Sequence, residues 1–139
     1  MKELFLEVVT PSKVAYAGNI KSVTIPGTLG SFQVLFNHAP LISSFEIGLI
    51  KIVDENNATR YFATGGGTVE VKDNKILALA ESFEEAVEID VARAKRAIET
   101  AKERLKDRSQ QFEVDQTQAE LSRALNRINI ASKYRPSSL

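Results

Sequence analysis

The chain changes its pattern of apolar and polar positions near Glu85. Before that point, short runs rich in Val, Ile and Thr alternate with turn-forming residues, which is typical of closely connected β-strands. The runs cover residues 4–9, 23–25, 48–53, 61–63, 68–71 and 76–79. Many short strands joined by close turns predict a sandwich or barrel.

After Glu85, apolar residues recur at spacings of three and four, which indicates amphipathic α-helices. A polar break at residues 109–111 separates two such stripes, so we predict an antiparallel helical hairpin, with Asp90 as the N-cap or a first-turn acid of its first helix. The stripes are Val87, Val91, Ala94, Ile98, Ala101 and Leu105, and then Leu121, Leu125, Ile128 and Ala131. A hairpin of this size buries little area, so we expect its conformation to depend on what it touches.

We therefore predict two domains: an N-terminal antiparallel β-sandwich over residues 1–86 and a C-terminal two-helix hairpin over residues 87–139. Charge divides in the same way, because the first part carries a net charge of −3 and the second +3. Over the whole chain, 18 basic and 18 acidic residues cancel. A chain without a global positive field is not expected to bind nucleic acid.

The composition excludes several classes of enzyme. The 139 residues include no Cys and one His, which excludes thiolate metal sites, cysteine nucleophiles and His-rich metal centres. The glycines at 65–67 lack the Lys-Ser or Lys-Thr of a phosphate-binding loop, and they indicate a bulge or a close backbone approach. His38 has no nucleophile near it in sequence and is interpreted as a loop residue held by local hydrogen bonds. We predict no catalytic site and no metal site.

Residues 22–45 carry no charged side chain, which raises the question of a membrane-spanning helix. Pro26, Pro40 and several polar residues would interrupt such a helix, so we expect no span there. The first residues place an acid at each end of a short apolar run, unlike a secretory signal. The expected compartment is of the cytosolic type.

Four motifs occur in an order that is informative as a set. Residues 27–41 contain two glycines and then Asn-His-Ala-Pro-Leu, and residues 66–71 read Gly-Gly-Thr-Val-Glu-Val. Residues 45–50, between these two motifs, read Phe-Glu-Ile-Gly-Leu-Ile, and residues 89–94 read Ile-Asp-Val-Ala-Arg-Ala. Together they resemble the epsilon subunit of F-type rotary ATP synthases over most of the chain. Phe36 and Thr68 depart from that family, which usually has Pro and an aromatic residue at these positions.

The resemblance implies a ten-stranded β-sandwich and a helical hairpin in a non-catalytic subunit of the central stalk. Such a subunit couples the proton-driven rotor ring to the catalytic head and restrains ATP hydrolysis through a hairpin that folds down or extends. The implied partners are the gamma subunit, the c subunits of the ring, and the catalytic alpha and beta subunits. Membrane association is then peripheral, at the cytoplasmic face of the bacterial membrane or an organellar equivalent. The expected partner contacts are Gly30, Ser31, His38, Ala39, Pro40 and Leu41.

Some bacterial members of that family bind ATP as a regulatory ligand, and no cofactor is otherwise required. Carried over by motif, the ATP contacts are Glu84, Asp90, Arg93, Arg123 and Arg127, because arginines grip phosphate and carboxylates accept hydrogen bonds. A further arginine expected in the first helix is replaced by Thr100, with Arg96 and Arg104 one turn to either side. Asp90 and Arg93 also fit an N-cap and a salt bridge that dock the hairpin without a nucleotide, and both interpretations stay open.

Two other classes of function can be set against the stalk subunit. A free-standing ATP-binding sensor would use the same junction residues without a rotary partner. A carbohydrate-binding sandwich has little support, because the chain has no Trp and only three Tyr to stack on sugar rings.

Overall fold

The computed structural model describes residues 3–107 and 114–134, which form seven strands followed by helices. The strands are β1 (Leu4–Val9), β2 (Val14–Gly27), β3 (Gly30–Val34), β4 (Leu41–Asp54), β5 (Thr59–Lys72), β6 (Lys75–Ala80) and β7 (Phe83–Glu85). A short 3₁₀ helix (Ala86–Glu88) precedes α1 (Val91–Lys106) and α2 (Val114–Tyr134). The chain divides between Glu85 and Ala86 into a β unit and a helical unit. The predicted fold class is confirmed.

The strands of the β unit close on themselves. β1 pairs with both β2 and β6, so that β1, β2, β4, β5 and β6 form a ring, with β3 beside β2 and β7 beside β5. Neighbours are antiparallel, as predicted, except that β1 and β6 are parallel. An odd number of strands in a closed ring cannot alternate throughout, so one pair must run in the same direction.

Seven strands are present in the described residues where the resemblance implies ten. β2, β4 and β5 are each 14 residues long, and counting each as two halves gives ten. The predicted runs 61–63 and 68–71 are the two halves of β5. Pro26 lies inside β2, where the pairing with β4 shifts register, because proline has no N–H to donate there.

The glycines at 65–67 lie inside β5 rather than in a loop. Gly66 has φ of 93°, in the left-handed region that favours glycine. A Cβ on Gly67 would overlap the backbone carbonyl oxygen of Leu79 on the neighbouring strand β6. The predicted close backbone approach is confirmed.

The core of the β unit is formed by the inward faces of its strands. Leu4, Leu6 and Val8 alternate with more exposed positions on β1, and the other strands contribute Val, Ile and Phe side chains in the same way. The rings of Phe62 and Phe83 stack with centroids 4.3 Å apart, which fixes β7 against β5. β7 therefore belongs to the barrel, although it is only three residues long.

A charged pair fastens the end of the β unit. The Arg60 guanidinium donates to both carboxylate oxygens of Glu85, at 2.7 and 3.0 Å, and lies 5.5 Å from the ring centroid of Tyr16. The hydrogen bond to Glu85 raises the pKa of Arg60 above its usual value, so this guanidinium stays charged. Burial raises the pKa of Tyr16. The last strand before the helical unit is thus held by both stacking and a bidentate ion pair.

The helical unit consists of two packed helices. Arg104 Nη1, in the last turn of α1, lies 3.7 Å from Glu120 Oε2, in the second turn of α2. The end of α1 therefore lies beside the start of α2, as in an antiparallel pair. Ala124 is fully buried, whereas Leu125 is 49% exposed, so the prediction of Leu125 on the inner face is wrong. A small residue at the inner position lets helices approach closely. The predicted polar break at 109–111 lies outside the described residues.

Candidate docking surfaces and nucleotide site

His38 lies in the loop between β3 and β4. The loop turns at Leu35–His38, where the His38 N–H donates to the Leu35 carbonyl oxygen at 3.1 Å. Asn37 has φ of 64° at the third position, which a type II turn reserves for residues that tolerate positive φ. His38 Nδ1 lies 2.7 Å from the Ala39 carbonyl oxygen, and a carbonyl only accepts, so Nδ1 carries the proton. The predicted local hydrogen bonding of His38 is confirmed.

The residues expected to contact partners fall into two groups. Gly30 and Ser31 are exposed at the start of β3, whereas the exposed Ala39 and Pro40 follow its end. The strand between the groups spans about 13 Å. Leu41 is half-buried and packs against the core, so it supports the loop from inside. Of the predicted contacts in the loop, Ala39 and Pro40 are exposed and His38 is half-buried, and we call residues 38–40 the His38–Pro40 loop.

A second surface was not found by sequence reasoning. Phe5, Ile42, Leu77 and Leu79 lie exposed on the outer side of the barrel, and we call them the apolar face. Strand register brings them near one another, because Leu77 is opposite Glu7 on one side and Glu70 on the other, and Glu70 is opposite Ile42. A groove of about 540 Å³ beside Phe5 and Leu77 is edged by charged side chains. These exposed apolar side chains, with the carboxylates of Glu7 and Glu70 among them, are a candidate protein interface.

The sequence of β6 does contain a signal for this surface. A strand with one solvated face alternates apolar and polar residues, but Ile76–Ala80 is apolar throughout. Ile76, Ala78 and Ala80 face the core, which leaves Leu77 and Leu79 on the outside. A strand that is apolar on both faces predicts that both faces are covered in the working protein.

Asp90 caps α1. Its side chain accepts from the Arg93 N–H at 3.0 Å, and its extended backbone (φ −80°, ψ 95°) is that of an N-cap. The carboxylate also lies at the positive end of the helix macrodipole. The structure therefore brings Asp90 and Arg93 together through the backbone of Arg93, whose side chain is exposed. A structural role for Asp90 is confirmed.

Arg123 and Arg127 lie one turn apart on α2, and both are half-buried. Arg123 Nε is buried and has no hydrogen-bond partner among the described residues. Leaving such a donor unpaired is costly, because its interaction with water is lost without replacement. The atom is thus suited to an acceptor oxygen that a ligand would supply.

The remaining nucleotide candidates are less favourably placed. Thr100 is exposed on α1, and Arg104, one turn beyond it, already pairs with Glu120. Arg96, one turn before Thr100, is exposed. Glu84 lies in β7 of the β unit, whereas the other four candidates belong to the helical unit.

Neither a metal cluster nor a membrane-spanning helix is found in the described ranges. Within residues 3–107 and 114–134, no three Asp, Glu or His side chains are grouped so that they could hold a metal ion. No helix in the same ranges is long and apolar enough to cross a bilayer.

Comparison with known families gives matches to both units. Residues 3–86 match the β-sandwich domain of the ATP synthase delta/epsilon chain, and residues 88–132 match its long α-helix domain. The fold also resembles a chain in the mitochondrial ATP synthase of Euglena gracilis, a structure described as OSCP/F1/c-ring in rotational state 1. That likeness has a TM-score of 0.71 at 16% identity, covering 95% of this chain and 82% of that one.

Curated relatives agree with the family models over nearly the full length. The chain is 38% identical over 128 residues to the ATP synthase epsilon chain of Syntrophomonas wolfei, covering 92% of this chain and 93% of that protein. It is 46% identical over 100 residues to the epsilon chain of Pelotomaculum thermopropionicum, covering 72% and 74%. The resemblance found in the sequence is confirmed, and the chain belongs to the delta/epsilon chain family of ATP synthase.

Proposed function

We propose that this chain is the non-catalytic epsilon subunit of an F-type ATP synthase central stalk, where it couples the proton-driven rotor ring to the catalytic head. The observation that carries the proposal is the match of both units, in order, to relatives named ATP synthase epsilon chain. The chain has one His and no Cys, and His38 is bonded within its own loop. These features favour a role in binding over a role in catalysis.

The β unit supplies the docking surfaces of the proposed stalk subunit. The apolar face and the His38–Pro40 loop are the surfaces that we propose to contact the gamma subunit and the ring. Burying exposed Leu, Ile and Phe side chains stabilises an interface by about 25 cal/mol per Å². Membrane association then follows from the complex, at the cytoplasmic face in a bacterium.

The double variant Leu77→Ser, Leu79→Ser tests the docking proposal. Both side chains are exposed, so the variant should fold, whereas its affinity for a gamma-containing catalytic complex should fall at least about tenfold. The measurement is a binding titration with a complex purified without this subunit. Leu125→Ser is the matched control, because Leu125 is 49% exposed and Leu79 is 50% exposed. Unchanged affinity of the double variant would contradict the proposed docking.

The helical unit supplies the proposed inhibition of ATP hydrolysis. Exposed cationic side chains lie along α1, among them Arg93, Lys95, Arg96 and Lys102. An extended basic hairpin complements acidic loops of the catalytic beta subunit, and such a contact would block rotation. The small area buried between two helices favours a unit that can change its packing partner.

A chain ending at residue 86 tests this inhibition. The catalytic complex carrying the truncated chain should hydrolyse ATP severalfold faster than the complex carrying the full chain, because the blocking helices are gone. Bound subunit is quantified in the same complexes, so that lost inhibition is separated from lost assembly. Equal hydrolysis rates at equal occupancy would refute the inhibitory role.

ATP is the proposed regulatory ligand of the helical unit. Arg123 supports this proposal, since its buried Nε lacks an acceptor among the described residues and a phosphate oxygen would provide one. Arg127 follows one turn later, and Asp90 would contribute a carboxylate in addition to its cap. When bound, ATP would favour the hairpin conformation that contacts it and so relieve inhibition when ATP is plentiful.

A further inference from the structure

Two asparagines bind each other across the surface of the β unit. The Asn37 N–H donates to Asn74 Oδ1 at 2.6 Å, and Asn74 Nδ2 donates to Asn37 Oδ1 at 3.1 Å. The residues are 37 positions apart, one in the loop between β3 and β4 and the other in the turn between β5 and β6. The pair therefore joins two segments that chain connectivity does not hold together.

Asn74 is held in place by its turn and by a backbone hydrogen bond. Asp73 and Asn74 have φ of 52° and 62°, the pattern of a tight two-residue hairpin turn. The Asn74 carbonyl oxygen also accepts from the Phe5 N–H at 3.0 Å. The residue is thus fixed to β5 and β6 by its turn and to β1 by its own backbone.

Positive φ alone does not account for this pair. Asn is common at such positions because its short polar side chain tolerates them, as at Asn57 with φ of 64°. Asn57 uses its side chain to accept from Lys21 Nζ rather than to bind a loop. The positive φ explains why Asn is found at 37 and 74, but it does not explain why the two residues hydrogen-bond to each other.

The loop is otherwise bonded only to itself, as far as the described residues show. The His38 N–H donates to Leu35, and His38 Nδ1 donates to Ala39. The bonds to Asn74 are therefore the hydrogen bonds that tie the tip of the loop to the barrel, in addition to the packing of Leu41 against the core. A loop that is ordered before binding pays less conformational entropy on docking.

We propose that Asn74 is a positioning residue for docking: it holds the His38–Pro40 loop in the conformation that a partner recognises. This inference rests on the proposed function of that loop as a contact of the synthase. Asn74 acts through Asn37 and need not touch the partner.

Three variants keep both bonds, remove one bond and remove both bonds, and all three substitute residues that tolerate left-handed φ. Asn37→Asp keeps both bonds, Asn37→Gly removes the bond from Asn74 Nδ2, and Asn74→Gly removes both. The affinity of the full-length chain is measured for a synthase complex purified without this subunit. We expect no change for the first variant, an intermediate loss for the second and about a tenfold loss for the third. Asn57→Gly makes the same substitution at another position of left-handed φ, outside the pair, and should bind as the wild type does.

Hydrogen exchange in the free chain separates the two proposals. The Asn37 amide should exchange faster in Asn74→Gly than in the wild type, because its acceptor is gone. If the wild type does not bind the complex, the docking function fails, but the exchange experiment still tests the pair. Unchanged exchange, or faster exchange with wild-type affinity, overturns the positioning role. An equal loss of affinity in Asn57→Gly also overturns it.

Discussion

Replacing Gly67 by alanine is expected to destabilise the β unit by about 3 kcal/mol. The new Cβ would overlap the Leu79 carbonyl oxygen and lie 2.9 Å from the Leu79 carbonyl carbon and 3.0 Å from the Ala80 Cα. These are backbone atoms of β6, so no side-chain rotation relieves the overlap. β6 must move away from β5 at the pair that Gly67 forms with Ala80. The loss is a large fraction of the usual stability of a domain.

Gly18→Ala is the matched control for this result. A Cβ on Gly18 meets only the Tyr16 Cε1 atom, at 3.9 Å, which is an ordinary van der Waals distance. Its stability should equal or slightly exceed the wild type's, since alanine restricts the unfolded chain. Urea unfolding followed by circular dichroism compares the two. A Gly67→Ala variant within 1 kcal/mol of wild type, on the order of one small contact, would contradict the argument.

The same displacement should reach the docking surface. β6 carries Leu77 and Leu79 on its outer side, directly along the strand from the Gly67 contact. Any folded fraction of Gly67→Ala should therefore bind the catalytic complex more weakly. Stability and docking are linked here through one strand that is apolar on both faces.

Local patterns were sufficient to predict much of the architecture. The run 4–9 coincides with β1, a turn separates the predicted runs 68–71 and 76–79, and Asp90 caps α1. Each depends on residues close in sequence, where turn chemistry and capping act directly. The continuity of β5 was missed because its three glycines, which look like a break, are required by the approach of β6.

Features that depend on pairing between distant strands could not be predicted in this way. The parallel pair of β1 and β6 follows from closing five strands, which no single segment indicates. The bonds between Asn37 and Asn74 require the register of both hairpins. In α2, Leu125 is the more apolar residue, but the closer helix packing is achieved with Ala124 on the inside.

The nucleotide proposal leads to the second large effect. Full-length chain should bind Mg-ATP saturably in calorimetry, and the double variant Arg123→Ala, Arg127→Ala should bind at least about 100-fold more weakly. Each charge-assisted contact to phosphate is worth roughly 1.5–3 kcal/mol, so two of them correspond to several decades of affinity. Replacing Arg123 should remove no hydrogen bond of its Nε from the free protein, because that buried atom has no partner among the described residues.

Two further variants separate ligand binding from helix structure. Asp90→Asn keeps a good N-cap but removes the carboxylate charge, so it should retain helix content while changing ATP affinity only if Asp90 contacts the ligand. Lys95→Ala removes an exposed cation of α1 and should leave ATP affinity unchanged. Wild-type affinity in the double arginine variant would exclude these arginines from the site. No heat at millimolar ATP would leave Asp90 as a cap alone, and the packing of the hairpin would then be set by its partners.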